Sequence, residues 1–285
     1  MMKFPVFFLS VLSIIAVESC NIINPSEKVP TYVHIDSFQF LNTANTGTTS
    51  HKITNVFAYL DYAPLGTFTL PADIPIIADK AASLMLIPGV QLSGMSSNII
   101  GYPFYKADTS TLQPNPGQRV TVAPKTQYWG DSILRFTHED FESGNSFTSL
   151  EGDSLKRTTD PQYVFEGAYG GVIFLKDSSF ATNIMSVSFQ SPTMGANKAE
   201  VFLEMDYKCT VPFVVGLQTT DGSSDVISYL YGFNPRTTWN KVYVGLEDFL
   251  TAYPNKSYRV VIRVAKNNAG TDYVAFDNFK VVSRK

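Results

Sequence analysis

Short runs of alternating apolar and polar side chains, cut every few residues by proline or glycine, constrain the fold of this chain more than any other feature. Tyr32 to Phe40 and Ile53 to Leu60 alternate with period two and are rich in β-branched and aromatic residues. Successive side chains of an extended strand point to opposite faces, so this pattern predicts half-buried strands. Asp61 to Gly66 reads as a turn, Thr67 to Leu70 resumes a strand, and Ser83 to Ile87, Ile99 to Tyr105 and Gln118 to Ala123 follow. Pro71, Pro75, Pro88-Gly89 and Pro114 to Gly117 separate them. Further strands are expected at Val172 to Leu175, Ser186 to Phe189, Ala199 to Tyr207, Pro212 to Gln218, Val226 to Tyr231, Lys241 to Gly245, Tyr258 to Ala265 and Tyr273 to Val282. Only Leu246 to Tyr253, with Leu246, Phe249 and Leu250 at helical spacing, predicts a turn or two of helix.

The reading is an all-β chain of two β-sandwich domains, residues 31–130 and 136–285, joined across a polar, turn-rich stretch. Its 285 residues suffice for two domains, and 44% hydrophobic against 16% charged residues lets them bury a core. In Tyr258 to Val264, Tyr258, Val260, Ile262 and Val264 share the face expected to meet the core, with Arg259, Val261 and Arg263 opposite. A formal net charge of -3 gives no electrostatic footprint for nucleic acid.

Catalytic signatures are absent. His34, His51 and His138 stand apart in sequence, with no zinc spacing, no nucleophile elbow, no phosphate loop and no dinucleotide fingerprint. A non-enzymatic role is expected.

The leader supplies a location. Met1, Met2 and Lys3 precede an apolar run from Phe4 to Val17, too short to span a bilayer, and Val17-Glu18-Ser19-Cys20 follows. This resembles a bacterial lipoprotein signal of the Bacteroidota type, except that Glu18 stands where a small or apolar residue is usual. The resemblance implies a signal peptide over 1–19, lipidation of Cys20, a tether over 20–30, and anchorage to the outer membrane facing either the periplasm or the cell surface. With Cys20 lipidated, Cys209 has no partner for an intramolecular disulfide and reads as a buried thiol. Asp131-Ser132-Ile133 and Asp153-Ser154-Leu155 match the short O-glycosylation pattern of the same group.

Four pieces of the second half, in order, resemble the galactose-binding-like jelly rolls of carbohydrate-binding modules: Glu139 to Gly144, Phe165 to Gly171, Thr238 to Val244 and Val274 to Val281. The first half resembles, more loosely, immunoglobulin-like domains of envelope lipoproteins. The jelly-roll resemblance implies neighbouring first and last strands, and a structural Ca²⁺ held by Glu142 and Asp277, with Glu139 or Asp140 as extras. Ca²⁺ takes six to eight oxygen ligands, which two carboxylates would anchor. The alternative is that Asp277-Asn278 begins a turn or accepts hydrogen bonds. Glycan recognition in such modules uses aromatic faces beside polar side chains; the candidates are Tyr229, Tyr231, Phe233, Asn234, Arg236 and Trp239, foremost Tyr231, Arg236 and Trp239. Tyr229, Tyr231 and Phe233 alternate, however, so they also read as one core face. The sequence therefore favours a structural or interaction subunit of an outer-membrane complex, with other envelope proteins as partners and large apolar residues such as Ile99-Ile100 and Tyr102 to Tyr105 for docking. Glycan binding by the jelly roll is the alternative.

Overall fold

A computed structural model of the protein describes residues 27–41, 46–190, 200–220, 225–254, 256–266 and 268–285. The leader and Cys20 lie outside the described residues.

The first half holds β1 (Thr31–Ile35), β2 (Gln39–Phe40), β3 (Asn55–Leu60), β4 (Ala63–Thr69), β5 (Ala72–Ile76), β6 (Ala82–Gln91), β7 (Ile99–Gly101), β8 (Asp108–Leu112), β9 (Arg119–Thr121) and β10 (Lys125–Thr126). One sheet runs β4-β3-β6-β7, with β8 also on β6; β5-β1-β9 and β10-β2 are smaller sheets, and β1 pairs with β9 in parallel. Val33, Ile35, Val56, Ala58, Ile74, Leu84 and Leu86 fill the space between them.

Several expectations for this half change. The run Tyr32 to Phe40 is two strands separated by a break at Asp36 to Phe38. The expected turn Asp61 to Gly66 contracts to Asp61 and Tyr62, at φ 47 and 67, and β4 runs on through Ala63 to Gly66. β6 continues through Pro88-Gly89, where a Cβ on Gly89 would stand 2.9 Å from the Asn55 Cβ, so glycine there permits close strand approach.

The second half holds β11 (Leu134–Glu139), β12 (Phe147–Gly152), β13 (Lys156–Thr158), β14 (Gly170–Lys176), β15 (Phe180–Met185), β16 (Phe189–Gln190), β17 (Val201–Cys209), β18 (Phe213–Thr220), β19 (Asp225–Phe233), β20 (Arg236–Gly245), α1 (Glu247–Ala252), β21 (Ser257–Ala265) and β22 (Thr271–Arg284). Two sheets face each other. The inner sheet runs β13-β14-β22-β17-β20, with β11 also on β22; the outer sheet runs β12-β15-β21-β18-β19, with β16 also on β21. This is a jelly-roll sandwich, and its opening strand β11 lies antiparallel to its closing strand β22. Side chains from both sheets, among them Leu203, Met205, Val215, Leu217, Val260, Ile262 and Phe276, form the core. Burial alone pushes the Cys209 thiol up to about 11, which keeps it protonated.

The two halves share apolar packing. Phe202, Tyr243 and Val282 of the second belong to the core of the first, beside Tyr102, Phe104 and Tyr105. Tyr102 to Tyr105 are therefore no docking surface: the three aromatics are at most 3% exposed. The expected strand Ile99 to Tyr105 ends at Gly101 because the next residues turn down into this contact.

Candidate functional site

The outward faces of the jelly roll's two sheets carry different chemistry. In β21, Tyr258, Val260, Ile262 and Val264 point into the core as expected, and Arg259, Val261 and Arg263 point out. Cross-strand register sets Val261 between Ile184 of β15 and Gly216 of β18, an apolar floor on the outward face. Arg263 lies between Thr182 and Val214, and Arg259 opposite Gln218.

The neighbouring strand breaks the alternation read from the sequence. Val215 pairs with Tyr231, yet Gly216 pairs with Tyr229, so Leu230 is an extra residue in a β-bulge. Tyr231 consequently packs on the core, while Tyr229 turns outward and is 41% exposed. Phe233 stays inside, stacked on Phe213 at 5.2 Å. Gly216 is obligatory at the bulge: a Cβ would sit 2.4 Å from the Ser228 carbonyl oxygen.

The Arg263 guanidinium lies 5.6 Å from the centre of the Tyr229 ring, over its face. A groove of about 420 Å³ opens beside it, lined by Pro212, Val214, Gly232, Asn234, Arg263 and Ala265. Phe180, the cross-strand neighbour of Ala265, is 41% exposed, so Arg263 has an exposed ring on either side. Gln218 donates to Asp225 at 3.0 Å, and Arg259 approaches the same carboxylate at 4.0 Å. Gln218 Oε1 and Thr182 Oγ1 are buried without a protein partner. Val261 and Ile184 are buried beneath this face, and the groups it presents, the Tyr229 ring, the Arg263 fork and the Asn234 amide, suit a ligand with one apolar face and hydroxyls at its edge.

The other predicted ligand residues do not join this face. Trp239 packs edge-on against Phe165, ring centres 5.5 Å apart, on the inner sheet. Arg236 is exposed at the start of β20 opposite Cys209. Tyr231 is half-buried against the core, and nothing in the alternation of β19 signals the bulge; Gly216 in a strand otherwise rich in valine is the available hint.

Glu142 and Asp277 do meet, in a pocket of about 380 Å³ lined also by Asp140, Glu166, Thr48 and Asn278. Their oxygens are engaged by backbone. Glu142 Oε1 accepts from Ala168 and Tyr169 N–H at 2.8 and 3.0 Å. Asp277 accepts from Phe165 and Glu166 on one oxygen and from Asn278 on the other. Glu139 likewise accepts from Phe141 and Ser146, and Asp140 from Glu142. Among the described residues no group of three or more His, Cys, Asp or Glu is arranged to hold a metal ion. The hydrogen bonds these carboxylates make are those of loop capping. Burial raises the Asp277 carboxyl to about 7, against the pull of its three N–H donors.

The inner sheet's outward face is sealed beneath the first half by a charged cluster that sequence reading missed. Fully buried Glu204 accepts from Tyr102 at 2.6 Å and from Tyr128 at 2.8 and 2.7 Å, both hydroxyls coming from the first half. Lys241 lies 3.2 Å from Glu204 and 3.8 Å from Asp206, which accepts from Ser50 and Asn278. Lys280 Nζ stands 3.4 Å from the Tyr128 hydroxyl, and burial lowers its pKa to about 8. Burial works against the Glu204 charge as well, but Lys241 and Lys280 hold its pKa below the ordinary value. The sequence signal was two carboxylates in the otherwise apolar strand Val201 to Tyr207.

No family model matches this chain, and no curated protein matches it. Among solved structures, carbohydrate-binding modules of the β-sandwich superfamily align at 15% identity over 90% of this chain and 98% of theirs, with a TM-score of 0.40. The CBM22-1 xylan-binding domain of Paenibacillus barcinonensis Xyn10C aligns at 13% identity over 52% of this chain and 94% of its own, TM-score 0.37. The family 11 module of Clostridium thermocellum, in complex with a β-1,3-1,4-mixed-linked tetrasaccharide, gives 13%, 52%, 95% and 0.36 in the same order. Likenesses of this depth leave the functional argument to the chain's own residues.

Proposed function

We propose that this chain is a non-catalytic, lipid-anchored protein of the cell envelope that binds glycan on the outward face of the jelly roll's outer sheet. The observation that carries the reading is Tyr229, turned out by the β19 bulge to lie beside Arg263 above the Ile184–Val261–Gly216 floor. Pyranose rings present an apolar face of axial C–H groups, which an exposed aromatic covers, and equatorial hydroxyls, which Arg263, Arg259 and Asn234 would engage. Cys20 would hold the protein at the outer membrane through its acyl chains, on the periplasmic or the surface side, which protease accessibility on intact and permeabilised cells separates. The test of binding is retention in polysaccharide-containing gels. Tyr229→Ala should abolish retention, whereas Trp239→Ala, on the opposite sheet, should leave it intact; the reverse result would refute this site.

A second reading, an interaction subunit of an outer-membrane complex, is favoured by the β3–β4 hairpin. β4 is an edge strand exposed along most of its length, and Tyr62 at its tip is 83% exposed. Such an edge offers unpaired backbone groups to another strand. Crosslinking from a photoreactive residue at position 62, followed by detergent extraction, would trap an envelope partner if this edge docks one.

A further inference from the structure

We infer that the glycan taken by the outer-sheet groove is acidic, its uronate carboxylate seated on Arg263; this rests on the glycan reading above. The groove is walled by Pro212, Val214, Gly232 and Ala265, with Asn234 as its amide and Arg263 as its one charged lining residue. Other charges on this face are accounted for. Asp225 is shared by Gln218 and Arg259. Glu151 lies on β12 opposite Thr182, itself opposite Arg263, so it stands two strands away. The guanidinium lies beside the Tyr229 ring, and the one carboxylate that acts on it, Glu151, stands outside the groove, whose own wall carries none. A cation fixed against a ring in a groove without a carboxylate wall is complementary to an anion, and a planar guanidinium matches a carboxylate with two parallel hydrogen bonds. A neutral hexose would leave that charge facing only hydroxyls, whereas a uronate satisfies it while its ring stacks on Tyr229.

The experiment uses the full chain and three uronate polymers, polygalacturonate, alginate and glucuronoxylan, each paired with its carboxyl-reduced form, which keeps the backbone and removes the charge. Affinity electrophoresis at about 150 mM salt should show at least one acid polymer bound on the order of 10-fold or more tightly than its reduced partner. Arg263→Gln should erase that difference, Arg263→Lys should keep part of it, and thermal melting of both variants should match the parent because the residue is exposed. Equal binding of an acid polymer and its reduced form would overturn the acidic ligand while leaving glycan binding in place. Failure to bind any of the six polymers, or a panel of neutral glycans, would overturn both.

Discussion

The two outward faces of the jelly roll share a fold and differ in what became of their polar residues. On the inner sheet, Glu204, Asp206, Lys241 and Lys280 are covered by the first half, whose Tyr102 and Tyr128 bond Glu204, Tyr128 also meeting Lys280, and whose Ser50 bonds Asp206. On the outer sheet, Tyr229, Arg263, Arg259 and Asp225 remain open to solvent. Charge on a strand face is thus no guide to function by itself. What separates a seam from a binding face is whether another part of the chain supplies the partners.

Breaking the sealed side should have the largest effect. Glu204→Ala leaves two lysines buried without their shared carboxylate and should cost about 3–5 kcal/mol in chemical denaturation. The same cluster makes stability depend on pH. Lys280 titrates near 8 in the fold and near its ordinary value when unfolded, so between about pH 8 and 10 the unfolded chain holds more protons and stability rises with pH. The rise should be on the order of 3 kcal/mol, and Lys280→Met should flatten it. At the boundary between the two behaviours, Gly216→Ala drives a methyl into the Ser228 carbonyl; a loss of roughly 1–3 kcal/mol together with weakened glycan retention is expected, because the bulge that turns Tyr229 outward is disturbed. Gly167→Ala, at φ +73 with its new Cβ 2.2 Å from Glu142 Oε1, should cost about 1–2 kcal/mol and leave retention unchanged. Least of all, Tyr229→Ala should move the melting midpoint by no more than about 0.5 kcal/mol equivalent while removing retention. A large stability loss there would mean that the open face is structural after all.

The same contrast explains what was legible in the sequence. Most of the later strands were readable from alternation along their own length; Tyr258 to Ala265 matches β21 to within a residue, and Leu246 to Tyr253 encloses α1, whereas the expected strand Ser186 to Phe189 is broken at 186–188, between β15 and β16. β12 and β15 escaped notice because Ser149, Thr182 and Asn183 do not alternate in hydrophobicity: Asn183 is buried to hold the backbone of Asp153 and Leu155. Glu142 and Asp277 came together as the jelly-roll resemblance implies, yet the loop Phe165 to Tyr169 between them took their oxygens, and that depends on residues far away in sequence. Tyr229 and Tyr231 were separated by one inserted residue opposite Gly216, a register event that period-two counting passes over. The seam was hidden for a related reason, since Glu204 looks costly until Tyr102 and Tyr128 are folded onto it.

β22 gives this architecture a temporal order. It is the last strand of the sandwich to be synthesised, yet it lies inside its sheet, pairing with β11, β14 and β17. Its Val282 also belongs to the core of the first half. A nascent chain lacking these residues would expose the edges of three strands and an uncovered aromatic seam, so docking of the two halves waits for the final strand. A carrier that keeps strands apart until β22 has emerged would favour correct assembly, and release before that point would favour aggregation.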